Sequence, residues 1–441
     1  MNKKIRDFIF FLFIACFLLG TLSISLYASG YELKLSWPPR FSRLLVKTGM
    51  IAVDSSPAGA RIFLNEEAAT SFSLTPWAAD SLSTPAKIRN VAPGSYELRL
   101  ELDGYRTFSK NIDVYPGQTA FLEDLNLFRS DLPLLAAAGP EGALSLSPNG
   151  RYLYAAGSNR IITLSTGLAQ DLPAQAPAAW LPDSDRLLQD GRLISANGGT
   201  SQDYRKLVGP EATNWHYDES NDRLYYENKD SLAYLDTGRQ NSAVILSGDA
   251  YLSYEARGDA LFVAVKSGGK TFLRKYSVAD RTLEQEISLP SVGLYRFRPD
   301  GRPLLALYDE QNKTLYLIDP DDIAAGRTVL SNVLNWRWTD DNTVFYNNTW
   351  EIYRRDLRRN DNALITRVGE AIRDLDVNAA KNYLVFATDR SLNAFDLATG
   401  SITRIFQAEK VAAPVLDAKN DILYFWAKVG QQEGVYSLLM Q

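Results

Sequence analysis

The sequence predicts a mainly β protein: an N-terminal transmembrane helix, a small β-sandwich, then a β-propeller of eight blades, or seven if one weak unit is not independent. Three observations carry this. An uncharged apolar run fills Phe8 to Ala28. Short alternating strands between Pro, Gly and Asp turns occupy Thr48 to Phe128. From about Arg129 onward, a unit of turn, β-rich run, turn and β-rich run recurs every 35 to 42 residues, within or just below the spacing of propeller repeats.

The apolar run comes first. At 1.5 Å per helical residue, about 20 such residues cross a hydrocarbon core of about 30 Å. Lys3, Lys4 and Arg6 precede it, and basic residues hold that end in the cytoplasm. Residues 1–7 then form a cytoplasmic tail, 8–28 span the membrane, 29–47 link, and the remaining chain is extracytoplasmic. Two readings compete. A secretory signal shares the basic start and could be cut near Ala28-Ser29-Gly30, but its apolar region is normally about 7 to 15 residues. A lipoprotein signal is suggested by Phe13-Ile14-Ala15-Cys16, yet the residues after Cys16 stay largely apolar.

Composition bounds the rest. With 46% hydrophobic and 22% charged residues among 441, the chain can bury a sizeable core and is too long for one compact unit. A net charge of −5 without basic runs argues against nucleic acid. The single cysteine, Cys16, lies in the apolar run, so neither a disulfide nor a thiolate metal site is expected outside.

In the segment 48–128, Ile51 and Val53, then Ile62 and Leu64, alternate as a half-buried sheet requires. Pro57 with Gly59, Pro93-Gly94, Asp103-Gly104 and Pro116-Gly117 supply the turns. The expectation is a small antiparallel sandwich. Ser56-Pro57-Ala58-Gly59-Ala60 followed by RIFLN, Thr84-Pro85, Pro93-Gly94-Ser95-Tyr96, Gly104-Tyr105 and VYPGQ, in that order, resemble the PEGA domain family. Ala58 stands where the eponymous Glu would be, and SFSLTPWAADS is an insertion. The literal Pro140-Glu141-Gly142-Ala143 is a decoy without matching strands. The resemblance implies a non-catalytic β-sandwich module of envelope and surface-layer proteins.

Within 129–441, Leu153, Leu188, Tyr225, Phe262, Leu304, Phe345, Val385 and Tyr424 mark the middle of successive units. One such unit cannot bury both faces alone, so the units must stack radially. The turns Ser147-Pro148-Asn149-Gly150-Arg151 and Arg298-Pro299-Asp300-Gly301-Arg302 resemble the TolB-like repeat family, which implies a binding or scaffolding propeller. The last unit ends one strand short at Gln441. Leu132-Pro133-Leu134-Leu135-Ala136 is apolar and suits an edge strand, so it is predicted to complete that unit.

The search for chemistry yields no catalytic, cofactor-binding or metal residues. His216 is the sole histidine, too few for a zinc site or a Ser-His-Asp triad, and reads as a strand residue beside Trp215. Ala264 to Thr271 imitates a P-loop, with Ala in place of the first glycine and two strands around it where a strand-to-helix turn is needed. Asp319-Pro320-Asp321-Asp322 lacks EF-hand spacing and reads as a solvated turn. Carboxylate pairs for glycoside hydrolysis cannot be picked out among 52 acidic residues. Trp180, Tyr217, Phe297 and Trp338 precede polar corners and read as inter-blade packing. Trp336, Trp338, Tyr346, Trp350 and Tyr353 crowd one unit, where a sugar-binding groove is the competing reading. Asn312 and Asn347 begin glycosylation sequons.

The expected function is a membrane-anchored extracytoplasmic binding or scaffold protein of the cell envelope, not an enzyme, which contacts another envelope protein or a surface glycan through propeller loops. The alternative is a carboxylate-based enzyme acting on envelope glycans at the propeller channel. A sensor is disfavoured, because a tail of seven residues leaves nothing inside to receive a signal.

Overall fold

A computed structural model describes residues 3–33, 45–70, 81–173, 176–183, 185–248, 250–290 and 292–441. Most of the predicted insertion, residues 71–80, lies outside them, as does 34–44 of the expected linker. Helix α1 (Lys3–Ala28) carries the apolar run. Its segment Ile5–Ala28 has a mean hydropathy of 2.5 and buries nothing against the protein. The linker region is not featureless: β1 (Tyr31–Leu33) and β2 (Leu45–Lys47) pair antiparallel, Tyr31 opposite Lys47.

The sandwich follows as two sheets. One has the order β6-β3-β9 and the other β5-β4-β7-β8, with β3 (Gly49–Ser56), β4 (Arg61–Leu64), β5 (Glu67–Ala68), β6 (Ala86–Val91), β7 (Gly94–Glu101), β8 (Phe108–Val114) and β9 (Thr119–Asn126). The inward alternate positions Ile51, Val53, Ile62, Leu98, Leu100 and Leu125 are at most 2% exposed and form its core. The sandwich is not wholly antiparallel, because β9 runs parallel to β3. The chain leaves β3 for the second sheet and returns at the end where β3 began, Gly117 N–H donating to Thr48 O and Met50 N–H to Gln118 O. A strand entering from that end must run the same way.

Among the described residues, the rest of the chain makes eight four-stranded antiparallel sheets. Seven are local in sequence: 144–171, 178–203, 213–247, 250–289, 295–330, 335–367 and 374–407. The unit around Leu188 is a sheet of its own. The eighth takes Lys410–Asp417, Ile422–Val429 and Gln432–Leu439 from the C-terminus, and its fourth strand is β10 (Leu134–Ala138), with Leu134 opposite Ser437.

Apolar clusters join each sheet to the next. Tyr152 and Ile161 of sheet 1 pack with Leu187 and Ile194 of sheet 2, and the series continues through sheets 3 to 8. Leu153 and Ile162 of sheet 1 meet Tyr424 and Val435 of sheet 8, which returns the circuit to its start. Closure of this kind removes the free edges that invite aggregation. Trp180, Tyr217, Phe297 and Trp338 all belong to these inter-sheet clusters or pack against them, as their recurrence predicts.

The sandwich docks on one end of the propeller, at sheets 7 and 8. Phe128 is 2% exposed and meets Tyr383 edge-on, centroids 5.3 Å apart. Arg106 Nη2 donates to Ile405 O at 2.7 Å, and Arg129 N–H to Met440 O at 2.9 Å.

Candidate functional site in the propeller channel

The first strand of each of sheets 1 to 7, and Lys410–Asp417 of sheet 8, is the inner edge of its sheet. What these strands present therefore lines the channel. A cavity of about 610 Å³ lies against sheets 5 and 6, lined by Arg298, Asp300, Arg302, Trp336, Arg337 and Trp338 among others, and it reaches Ala143, just before sheet 1. Its side chains come from two local sources. Asn335–Trp338 is the inner strand of sheet 6, so alternate side chains diverge. Trp336 and Trp338 lean toward sheet 5, Trp336 meeting Tyr308 at 5.2 Å, whereas Arg337 reaches sheet 7. The other source is the turn Arg298 to Arg302, where Gly301 takes φ +72° and Arg302 N–H donates to Asp300 Oδ1 at 3.1 Å.

The electrostatics are those of paired ions. Arg337 contacts Asp374 at 3.3 Å and Asp376 at 3.6 Å. Asp376 also accepts from Val377 N–H at 2.9 Å and Leu416 N–H at 2.8 Å. Burial outweighs these partners and raises both carboxyls. Partial desolvation by the surrounding residues raises Asp300 too, although it is exposed, and Arg302 pairs with Asp341 at 3.2 Å. The cavity thus combines two indole surfaces with guanidinium and carboxyl groups, a mixture of flat apolar and hydrogen-bonding surface that suits a polar ligand with an apolar face.

Glu255 lies between sheets 4 and 5. It is 2% exposed, with Oε1 receiving Arg257 at 2.6 Å and Oε2 without a partner. Arg257 in turn donates to Arg302 O at 2.6 Å and Leu304 O at 3.0 Å. Burial pushes the Glu255 carboxyl up to about 6. Raised above its unfolded value of about 4.3, this group contributes stability that is present at low pH and lost as pH rises through about 6. In Glu255→Gln, that loss should vanish. The variant's stability relative to the parent should rise by about 2 kcal/mol between pH 4 and pH 7, measured by thermal unfolding of both proteins across that range. A difference independent of pH would refute the assignment.

The sequence-singled residues fall elsewhere. His216 Nε2 lies 3.1 Å from Ala256 O, between sheets 3 and 4, and burial pushes its imidazole down. The P-loop imitation is a hairpin, Ala260–Ser267 and Lys270–Ser277, turning on Gly268 and Gly269 at φ +58° and +78°. The acidic run is a self-bonded turn, Asp319 Oδ1 accepting from Asp321 N–H and Asp322 Oδ1 from Ala324 and Ala325 N–H. Asn347 is fully buried, which leaves its sequon inaccessible in the folded chain, while Asn312 caps Asp309 and Val292 O. Among the described residues, no group of three or more His, Cys, Asp or Glu converges as metal ligands would. Sequence reasoning missed Glu255, Asp374, Asp376 and Arg337. Each is an ordinary charged strand residue, and no local signal singles it out.

Residues 48–126 match the family model described as PEGA domain. No curated protein matches the chain. Among solved structures, it is similar to "Structure of Dos1 propeller" at 11% identity and TM-score 0.48, covering 70% of this chain and 95% of that one. It is also similar to "Oligogalacturonate lyase in complex with manganese" at 14% identity and TM-score 0.41, covering 69% and 98%. The chain carries an apolar N-terminal helix, a PEGA domain at residues 48–126, and a β-propeller.

Proposed function

We propose that this protein is a membrane-anchored, extracytoplasmic binding or scaffold protein of the cell envelope, non-catalytic, whose ligand is another envelope protein or a surface glycan held at the propeller end opposite the PEGA domain. The supporting observation is a set of exposed apolar side chains at that end. Leu207, Val292, Leu294, Trp350 and Val429 are 41 to 63% exposed, and lie on connections or a strand end there, away from Asn126, Phe128 and Arg106 on the docked end. Exposed apolar residues gathered on loops beside a channel are a common setting for recognition.

A photo-crosslinking residue at Trp350, compared with one at Leu168 at the docked end, tests the reading in native envelopes by mass spectrometry. Defined adducts are expected from position 350 alone, and equal backgrounds from both would count against it. Orientation is checked separately, since protease added outside spheroplasts should digest the propeller. The enzyme reading draws on the raised Asp300, Asp374 and Asp376 carboxyls at the channel. Envelope-glycan turnover by the purified protein, abolished in Asp300→Asn, would favour it over scaffolding.

A further inference from the structure

We infer that the membrane-proximal end of the PEGA domain is itself a bilayer-contacting surface, made by the β1–β2 ribbon and the turn bearing Tyr115, and that it fixes the tilt of the propeller over the membrane. The inference rests on the reading of α1 as a retained anchor. Only Ser29 and Gly30 separate α1 from β1. Both are tied back to the helix, Ser29 N–H donating to Ser25 O and Gly30 N–H to Tyr27 O, each at 3.0 Å. Gly30 O then accepts from Thr48 N–H at 2.8 Å and Thr48 Oγ1 at 2.9 Å. Thr48 O receives Gly117 N–H at 2.9 Å, from the turn that follows Tyr115. The helix end is therefore bonded directly to Thr48, the residue that precedes the domain's first strand.

An apolar helix of this length places its last residues at the lipid–water boundary, and these bonds bring the ribbon and the turn to the same level. The side chains there suit that layer. Tyr31 is 37% exposed, Leu45 48% and Tyr115 57%, with Lys47 beside Gly117. Tyrosine is enriched where one end of a side chain is apolar and the other wet, and lysine is drawn to anionic headgroups. Among the described residues, Tyr31, Leu45 and Tyr115 are left exposed. Because the PEGA domain is in turn hydrogen-bonded to the propeller, a patch seated in the headgroups sets the height and tilt of the whole body.

The test uses the full chain in nanodiscs of phosphatidylcholine with phosphatidylglycerol. In a Cys16→Ser background, single spin labels are placed by Leu18→Cys, Tyr115→Cys or Val292→Cys, and depth is read from oxygen against nickel-chelate accessibility. The expected pattern is lipid at 18, headgroup depth at 115 and water at 292. A label at 115 as nickel-accessible as that at 292, with 18 still in lipid, overturns the inference and leaves the anchor standing. Water at position 18 would overturn the anchor reading and the inference together. A Tyr31→Ser, Leu45→Ser, Tyr115→Ser variant should broaden the distance distribution between a label at 292 and the bilayer, and an unchanged distribution would likewise overturn it.

Discussion

Replacing Gly434 with valine is expected to lower the melting temperature of the propeller by several degrees and to open its ring. Gly434 sits opposite Ala138 on β10 and Ala427 on the other side. A Cβ there would lie 2.3 Å from Ala137 O and 2.9 Å from Ala138 Cα, both backbone atoms that cannot turn aside as a side chain would. Overpacking of this kind costs about 1 to 3 kcal/mol, and relief requires β10 to leave the Gln432–Leu439 strand. That strand's edge is then free, which favours association between molecules. Gly369 makes the control, since a Cβ there meets nothing within 4 Å, so Gly369→Val should melt with the parent. Deleting residues 131 to 137 should act in the same direction and more strongly. Calorimetry and gel filtration read both effects, and an unchanged midpoint with a monomeric peak for Gly434→Val would show that β10 is not what closes the ring.

The second large effect is expected from Asp396→Ala, which should release the PEGA domain from the propeller. Asp396 is 2% exposed. Its Oδ2 accepts from Asn126 N–H and Nδ2, each at 2.8 Å. Its Oδ1 accepts from Thr399 N–H at 2.7 Å and Oγ1 at 2.8 Å. One carboxylate thus joins the last residue of β9 to a turn of sheet 7. Alanine removes an acceptor from the buried Asn126 donors and the half-buried Thr399 donors, at a cost of roughly 3 kcal/mol. Two neighbouring contacts, Gln441 Nε2 to Asn126 Oδ1 at 2.7 Å and Asn126 Nδ2 to Lys381 O at 2.9 Å, converge on the same Asn126 and loosen with it. Tryptic cleavage after Arg129, whose N–H is bonded to Met440 O in the intact protein, should accelerate at least several-fold. Cleavage and melting indistinguishable from the parent would place the cohesion of the two domains elsewhere.

Asn214 shows how local signals and long-range placement divide. From sequence it is one polar residue beside Trp215 and His216; in the fold it takes φ +51°, its Nδ2 donates to Glu227 at 2.6 Å, and its carbonyl receives the Tyr254 hydroxyl of the next sheet. The turn-forming character is legible in the residue type, and the partners are not. Similarly, the Ser147 turn is local, with Gly150 at φ +69° and Asn149 Oδ1 accepting from Arg151 N–H. Its motif is visible in the letters because the bonds that shape the turn, from Ser147 to Tyr152, lie within five residues. The channel ions are the opposite case, since Arg337 and Asp374 are 37 positions apart and meet only when sheets 6 and 7 stack.

The sequence by itself determined the apolar span, the alternation that makes strands, the glycine and proline turns of the PEGA domain, the repeat of the propeller and the strand that completes its last sheet. The first four depend on hydrophobic periodicity and on backbone dihedrals, which neighbouring residues set, and the last on a repeat that ends one strand short. Only the tertiary structure decided the parallel course of β9, the docking of the PEGA domain through Asp396, the charged lining of the channel and the bonding of the helix end to Thr48. Each of those is a contact between distant segments, whose geometry exists only once the chain has closed, and whose members are individually indistinguishable from other polar residues on a strand or turn.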